Sequence, residues 1–300
     1  MANRQSDAAL DYMRELGIRP ARNPGQFASR LAERLGRRRA AEALDALNRR
    51  SAEYARGERA DNAGFYEAKN ADIETGLAVS GIGEGDVLRR LCEWIYVNRE
   101  RFRGRVLEIG CDNGILSCFA ARLLPECELV CIDRCAASIE AARRLAGRLG
   151  VTNARFEQAE AGQLPRAGFD TVFSSRTAHE NFRRLDAAPV EGVEAQAELF
   201  ERCLADYAAC LAGLCAPGGR LLTVERMGRT SLFRGWLRAL AAAGMYVEEG
   251  GWTELSAQEL GGEVHFQALV MSAEAPREGP EIEYKDVIDL ASPAWRAWIG

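Results

Sequence analysis

VLEIGCDNGILSCFAARLL, residues 106–124, combines three kinds of local structure in one short stretch. It begins with an apolar run typical of a buried strand, passes through a turn with Gly110 and Gly114, and continues as an apolar segment long enough for a helix. In a sheet of parallel strands, the turn after such a strand lies at the edge where ligands bind. The stretch therefore predicts a strand, a binding loop and a helix that together carry a cofactor.

From Arg105 onward, short apolar runs alternate with helical stretches. Apolar residues recur at helical spacing in residues 115–124, 136–149, 194–214 and 230–243. This alternation is typical of α/β proteins with a doubly wound, mostly parallel sheet of Rossmann-like form. We predict a seven-stranded sheet whose last two strands form an antiparallel hairpin at one edge. The strands fall at RVLEIG (105–110), ELVCID (128–133), NARFEQA (153–159), FDTVFSS (169–175), RLLTVE (220–225), MYVEEGG (245–251) and HFQALVMS (265–272).

The N-terminal part of the chain has a different pattern. Apolar residues recur at helical spacing there, which predicts an N-terminal helical extension over residues 1–56. Residues 57–84 contain five glycines and two adjacent aromatic residues, so we expect a mobile connector or lid. We place the main domain at 85–273, beginning with a helix at about 86–99, and a C-terminal tail at 274–300.

The composition is that of a globular protein, with 47% apolar residues in a chain of 300. It begins without a signal-peptide core, and it contains no apolar run of the roughly 20 residues that span a bilayer. We therefore expect a cytoplasmic protein that does not contact membranes. In such a protein the nine cysteines are expected to be reduced thiols. Cys127, Cys131 and Cys135 straddle a strand, where residues four apart are separated by roughly 13 Å, so we predict no metal site.

Positive charge is concentrated near the N-terminus. Residues 1–60 carry a net charge of +5 and the remaining residues a net charge of −10. A basic arm of this kind can bind nucleic acid or an acidic partner. The segment ERLGRRRAAEALDALNRR, residues 33–50, is also the pattern of an amphipathic helix with solvated arginines. Both interpretations stay open.

The loop after the first strand argues against a dinucleotide cofactor. Such a cofactor requires the pattern G-x-G-x-x-G beginning at Gly110, but Asp112 and Ile115 occupy the second and third glycine positions. A carboxylate at position 112 would repel the pyrophosphate that this loop has to bind. We therefore expect a cofactor without phosphates.

The same loop resembles that of the class I S-adenosylmethionine-dependent methyltransferases. Their loop reads acidic-x-Gly-x-Gly-x-Gly, and here it is Glu108-Ile109-Gly110-Cys111-Asp112-Asn113-Gly114, with Asp112 in place of the middle glycine. The resemblance implies a methyltransferase whose cofactor is S-adenosyl-L-methionine, a cation that tolerates a nearby carboxylate. It extends over about residues 104–273, because FDTVFSSRTAHE and LCAPGGRLLTVE are similar to the family's fourth strand and to the turn before its fifth.

The resemblance also implies roles for individual residues. Asp133, 19 residues after Gly114, would accept hydrogen bonds from both ribose hydroxyls. Glu160 and Ala161 would bind the adenine, through a carboxylate for its exocyclic amine and a backbone N–H for its ring. Glu108 would orient the amino group of the methionine moiety. Further cofactor contacts are implied for Gly110, Cys111, Asp112, Gly114, Arg134 and Ser174.

Methyl transfer is an in-line displacement in which the cofactor supplies the reactivity. The protein aligns the reactants, excludes water and removes a proton where the acceptor requires it. His179 follows the fourth predicted strand and is the candidate general base, with Glu180 as the next candidate. Arg176 and Tyr66 are candidates for orienting the acceptor substrate.

The acceptor does not follow from the shared sheet, because specificity lies outside it. We expect a small-molecule acceptor methylated on oxygen or nitrogen. Two alternatives stay open: an RNA or protein methyltransferase that uses the basic arm, and a non-catalytic module that only binds the cofactor. A homo-oligomer is compatible with each of them.

Overall fold

The computed structural model describes residues 2–58, 62–181 and 190–277. Within them seven strands form one sheet. They are β1 (Arg105–Ile109), β2 (Glu128–Asp133), β3 (Ala154–Gln158), β4 (Phe169–Ser175), β5 (Cys215–Glu225), β6 (Tyr246–Glu259) and β7 (Gly262–Ser272). Their order in the sheet is β3-β2-β1-β4-β5-β7-β6.

The sheet is parallel except at one end. β2 pairs with β3, β1 with β4 and β4 with β5 in parallel, whereas β5 pairs with β7 in the antiparallel direction. Residues Leu129 to Ile132 of β2 are all buried, as expected for a parallel strand that is covered on both faces. The predicted fold class, a Rossmann-like and mostly parallel sheet of seven strands, is confirmed.

Ten α-helices are present in the described residues. The four predicted beside the sheet are found within two residues of their expected bounds, and the helix expected at 86–99 lies at Gly85–Val97. The helices are α1 (Ala2–Glu15), α2 (Pro24–Leu35), α3 (Arg37–Ala55), α4 (Ala63–Lys69), α5 (Ile73–Gly83), α6 (Gly85–Val97), α7 (Ile115–Leu123), α8 (Ala136–Leu149), α9 (Val193–Leu214) and α10 (Thr230–Ala242).

The chain divides into two compact units that cut across the expected domain bounds. The first contains Met1–Gly104, Gly110–Glu160 and Ser256–Val264. The second contains Arg105–Ile109, Ala161–Leu255 and the described residues from His265 onward. Most of the tail expected at 274–300, from residue 278, lies outside the described residues.

The N-terminal extension, expected at residues 1–56, contains α1, α2 and α3, and it shares an apolar core with the connector. Buried residues of α2 and α3 pack with residues of α5. The packing is close because α5 presents glycine to its neighbours: a Cβ atom on Gly81 would lie 2.6 Å from Cγ1 of Ile18. The residues buried in this core are Ala21, Leu31, Ala40, Leu47, Ala78, Val79 and Ile82.

The connector expected at residues 57–84 differs from its prediction. Outside residues 59–61, which are not described, most of it forms α4 and α5, and every residue from Thr75 to Ile82 is buried. Its glycines predicted a loop, but at least two of them serve close packing: a Cβ atom on Gly76 would lie 2.6 Å from Oδ1 of Asn70. Ligand-dependent mobility of the connector stays a prediction, restricted by this burial to α4 and its flanks.

Candidate cofactor and catalytic site

The glycine loop is held against the end of β2 by its own backbone. The N–H groups of Gly110 and Cys111 both donate to the carbonyl oxygen of Ile132, at 2.9 and 3.0 Å. Gly114 has a φ angle of +78°, and a Cβ atom there would lie 2.8 Å from Cβ of Ala142. Position 114 therefore requires glycine, both for its backbone conformation and for the approach of α8.

Asp112 occupies the tip of the loop with a φ angle of +47°, an uncommon conformation for a residue other than glycine. Its carboxylate is bound from the connector. Oδ2 lies 2.5 Å from the ammonium nitrogen of Lys69, and Oδ1 accepts a hydrogen bond of 2.7 Å from the side-chain amide of Asn70. Asn70 also bonds the hydroxyl of Ser138 at 2.8 Å. The connector thus contacts the predicted cofactor loop directly.

Asp133 stands at the end of β2, and the loop orients its carboxylate. Oδ2 accepts a hydrogen bond from the N–H of Asp112 at 3.0 Å, and Oδ1 accepts one from the N–H of Cys135 at 2.8 Å. A carboxylate oxygen accepts more than one hydrogen bond, so each can also receive a ribose hydroxyl. Two carboxylates beside tight glycine turns fit a cationic cofactor that carries a ribose but no phosphate.

The other residues predicted to bind the cofactor are divided between the units. In the first, the carbonyl oxygen of Arg134 accepts a bond of 3.0 Å from Gln158, and Glu160 is exposed. In the second, Glu108 is a buried residue of β1 with 4% exposure, and Ala161 begins a single turn of 3-10 helix. The hydrogen bonds described above connect Gly110, Cys111, Asp112 and Asp133 within the first unit.

Tyr66, a candidate for substrate contact, lies on α4 and is half-buried. Its ring centroid is 5.1 Å from the ammonium nitrogen of Lys69, which is within the range of a cation–π contact. The ring of Phe65 approaches it edge-on, with the centroids 5.6 Å apart. Tyr66 therefore lies next to the lysine that binds Asp112.

A buried polar network lies in the second unit, below the turn that follows β4. Ser174 is fully buried, and its hydroxyl lies 2.5 Å from that of Thr177 and 3.2 Å from that of Tyr207. The hydroxyl of Ser174 also donates to Oε1 of Glu225 at 3.2 Å. Glu225 accepts two backbone hydrogen bonds as well, from Thr177 N–H at 3.2 Å and Ala178 N–H at 3.1 Å. One buried carboxylate thus anchors the whole turn.

Burial raises the pKa of Glu225 to about 7, although the backbone N–H groups of Ala178 and Thr177 and two hydroxyls act in the opposite direction. Burial is also the main reason why the pKa of Tyr207 is raised above its usual value. The desolvation of a carboxyl group with 1% exposure outweighs its hydrogen bonds. This network therefore contains a group that titrates near neutral pH.

The predicted catalytic residues lie on the anchored turn. His179 and Glu180 belong to the 3-10 helix Ala178–Glu180, with Nε2 of His179 3.9 Å from Oε1 of Glu180. Their side chains are 30% and 18% exposed. Arg176 precedes them with a φ angle of +59°, and its N–H donates to the carbonyl oxygen of Val224 at 2.9 Å. An imidazole beside a carboxylate is suited to accepting a proton.

Sequence reasoning missed Lys69 and Asn70 in the first unit and Thr177, Tyr207 and Glu225 in the second. One signal was present for Glu225, because an acid that ends the apolar run RLLTVE has to find buried donors. Lys69 offered another signal, since the chain has only one other lysine, Lys285. The partners of both residues come from distant parts of the sequence, so neither signal identifies them.

The cysteines form neither disulfides nor a metal cluster in the part of the chain that the structure describes. All nine cysteines are free thiols, and Cys127, Cys131 and Cys135 are buried. Among residues 2–58, 62–181 and 190–277, no three His, Cys, Asp or Glu side chains are grouped so that they could hold a metal ion. In the same residues, no helix combines the length and the apolar character needed to cross a bilayer.

The sheet, its glycine loop and the acid at the end of β2 are those of a Rossmann-like domain that binds a cofactor. Residues 103–223 match the family described as "Methyltransferase domain". This match confirms the predicted family: the chain carries a class I S-adenosylmethionine-dependent methyltransferase domain, it is an enzyme, and S-adenosyl-L-methionine is its cofactor. No curated protein sequence is similar enough to count as a relative.

Several solved structures are similar to the chain. One is a S-adenosylmethionine-dependent methyltransferase from Aquifex aeolicus, with 16% identity over 58% of this chain and 87% of that one, and a TM-score of 0.41. Another is magnesium protoporphyrin IX methyltransferase from Synechocystis, with 15% identity over 66% and 83%, and a TM-score of 0.45. A third, from echinomycin biosynthesis, has 23% identity over 59% and 79%, and a TM-score of 0.42.

Proposed function

We propose that the chain transfers the methyl group of S-adenosylmethionine to an oxygen or nitrogen atom of a small molecule. The observation that carries this choice over an RNA or protein acceptor is how the N-terminal extension uses its arginines. Several of them bind groups of the chain itself, and the helices that bear them pack around a shared apolar core. The extension is thus a packed body, unlike a free basic arm that would bind a phosphate backbone.

Three arginines of α2 and α3 illustrate this use. Arg30 donates to the carbonyl oxygens of Arg19 and Pro20. Arg34 donates to the carbonyl oxygens of residues 16 and 17 at 3.1 and 3.2 Å, and Arg39 binds the carboxylate of Asp72. Guanidinium groups engaged in this way are less able to neutralise phosphates, on which nucleic-acid affinity depends.

For cofactor binding we propose that Asp133 accepts the ribose hydroxyls, while Glu160 and Ala161 bind the adenine. Glu108 would orient the amino group of the methionine moiety. The glycine loop supplies the tight backbone turn, through residues Gly110, Cys111, Asp112 and Gly114, with Arg134 beside it. Ser174 is fully buried and bonded to Thr177, Tyr207 and Glu225, so we assign it to supporting the catalytic turn.

The cofactor supplies an electrophilic methyl group on a positively charged sulfur. An acceptor oxygen or nitrogen forms a bond to that carbon while the carbon–sulfur bond breaks. We propose that Nε2 of His179 takes the proton that the acceptor loses, and that the carboxylate of Glu180 stabilises the resulting imidazolium. Arg176 and Tyr66 are proposed to orient the acceptor. The cytoplasmic location stays a prediction.

The test uses S-adenosylmethionine with a deuterated methyl group and a cell extract separated into small molecules, RNA and protein. We expect mass-labelled product in the small-molecule fraction, and none with Asp133→Ala. Label in RNA or protein would contradict the proposal and favour the alternative acceptor, which Arg37→Ala/Arg38→Ala would then test because both side chains are exposed. Cofactor binding without label in any fraction would favour a non-catalytic module.

A further inference from the structure

We propose that Lys69 is a positioning residue for the cofactor loop. Its ammonium group binds Asp112, the carboxylate that stands where the related enzymes have a glycine, and thereby holds the loop in the conformation that the cofactor would bind. Lys69 lies outside the matched residues 103–223. The inference rests on the cofactor-binding role proposed above for this loop.

Breaking this charge pair is expected to be costly because both partners are largely buried. Lys69 is 3% exposed, and the side chain of Asp112 is 19% exposed. Removing one partner of such a pair leaves a charge that is poorly hydrated, which costs far more than losing a surface salt bridge. The salt bridge between Lys69 and Asp112 therefore contributes more at this site than an exposed pair would.

The pair also determines the geometry of the loop. With Lys69 on Oδ2 and Asn70 on Oδ1, both carboxylate oxygens of Asp112 are held by consecutive residues of the connector. These contacts fix a residue whose φ angle of +47° is otherwise unfavourable. The N–H of the same residue donates to Asp133 at 3.0 Å. Lys69 therefore acts on the proposed ribose acceptor through Asp112.

The two single losses weaken binding in different ways, one through charge and the other through orientation. Without Asp112, the ammonium group of Lys69 would repel a cofactor that carries a sulfonium. Without Lys69, the carboxylate of Asp112 would lose a partner that orients it. Both single losses are therefore expected to weaken binding, and the loss of both together is expected to matter less.

The test is a double-mutant cycle with Lys69→Met, Asp112→Gly and the double variant. Cofactor affinity is measured by calorimetry with S-adenosylmethionine and with its demethylated product, and melting temperature is measured without either. We expect each single variant to bind at least tenfold more weakly and to melt about 5 °C lower. The double variant should bind within about threefold of the wild type, because glycine suits the loop conformation. Lys69→Arg should retain most of the affinity.

Arg148→Met is the matched control, because it removes an ion pair of the same unit, that between Arg148 and Glu74, which lie 2.6 Å apart with both side chains exposed. It should leave the affinity unchanged. A double variant as weak as Lys69→Met would overturn the inference and point to direct contact between Lys69 and the cofactor. Additive losses in melting temperature without any coupling in affinity would also overturn it, leaving a role in folding alone. A wild-type protein that binds neither compound would refute the proposed cofactor loop itself.

Discussion

Glu225 makes the stability of the folded chain depend on pH. Burial raises the pKa of its carboxyl group to about 7, from an ordinary value of 4.5. Between these two values the folded chain keeps the proton and the unfolded chain releases it. The stabilisation is therefore complete below the unfolded pKa and is lost as the pH rises through the folded pKa. At 1.36 kcal/mol for each pKa unit, the total loss is about 3 kcal/mol.

Glu225→Gln removes the titrating group and isolates this effect. From pH 5 to pH 8, the free energy of unfolding of the wild type should fall by about 2 kcal/mol relative to that of the variant. The substitution also has a cost that does not depend on pH. Both oxygens of Glu225 accept backbone N–H groups, and the amide nitrogen of glutamine would face one of those donors instead. This cost shifts the curve without altering its slope.

Urea unfolding at several pH values from 5 to 8 measures the difference. Glu198→Gln is the matched control, because Glu198 lies exposed on α9 of the same unit. Its curve should run parallel to that of the wild type. If the curve of Glu225→Gln is also parallel to that of the wild type over this range, the proposed titration of Glu225 is refuted, whatever the constant offset between them.

Three further outcomes are expected. Asp133→Ala should weaken S-adenosylmethionine binding by about 2 to 4 kcal/mol in calorimetry, because hydrogen bonds to a charged group are lost; unchanged affinity would exclude the ribose role. With a hydroxyl acceptor, His179→Ala should lower turnover by roughly 10²- to 10⁴-fold with little change in cofactor affinity, and wild-type turnover from pH 5 to 9 would remove it from the mechanism. Cofactor should slow hydrogen exchange in α4 but not in buried α5; equal exchange in α4 with and without cofactor would argue against a lid.

The sheet could be predicted because each of its strands is marked by residues that are adjacent in the sequence. Residues 129–132 form a continuous apolar run, and such runs at regular separation identify buried strands wherever their neighbours lie. The loop at 110–114 could also be predicted, since Gly110 and Gly114 have positive φ angles and such a backbone conformation favours glycine. Both features depend on spacing along the chain, which a single sequence displays.

The connector could not be predicted in the same way. Glycine is typical of loops, yet Gly76 and Gly81 lie within a buried helix, where the missing side chain admits Asn70 and Ile18. Their role depends on which residues approach them in the folded chain. The environment of Glu225 is likewise created by β4 with the turn that follows it, about 50 residues earlier in the sequence, and by α9. Packing partners of this kind leave no periodic signal.

The connector and the N-terminal extension stabilise the glycine loop and the start of α7 through direct hydrogen bonds. The family match, residues 103–223, includes the loop but neither of these two segments. Two residues of the loop and the first residue of α7 bind groups from before residue 85. The carboxylate of Asp112 is held by Lys69 and Asn70, the amide of Asn113 donates to Ser80 at 2.9 Å, and the carbonyl oxygen of Ile115 accepts from Tyr12 at 2.8 Å. Apart from Asp112, whose side chain is 19% exposed, these groups belong to buried residues, so each would lose a partner that water replaces poorly if the N-terminal residues were absent. A feature shared with the family, the glycine loop, is therefore stabilised here by residues that the family match does not include. Substitutions in the N-terminal residues can for that reason alter cofactor binding without touching the cofactor.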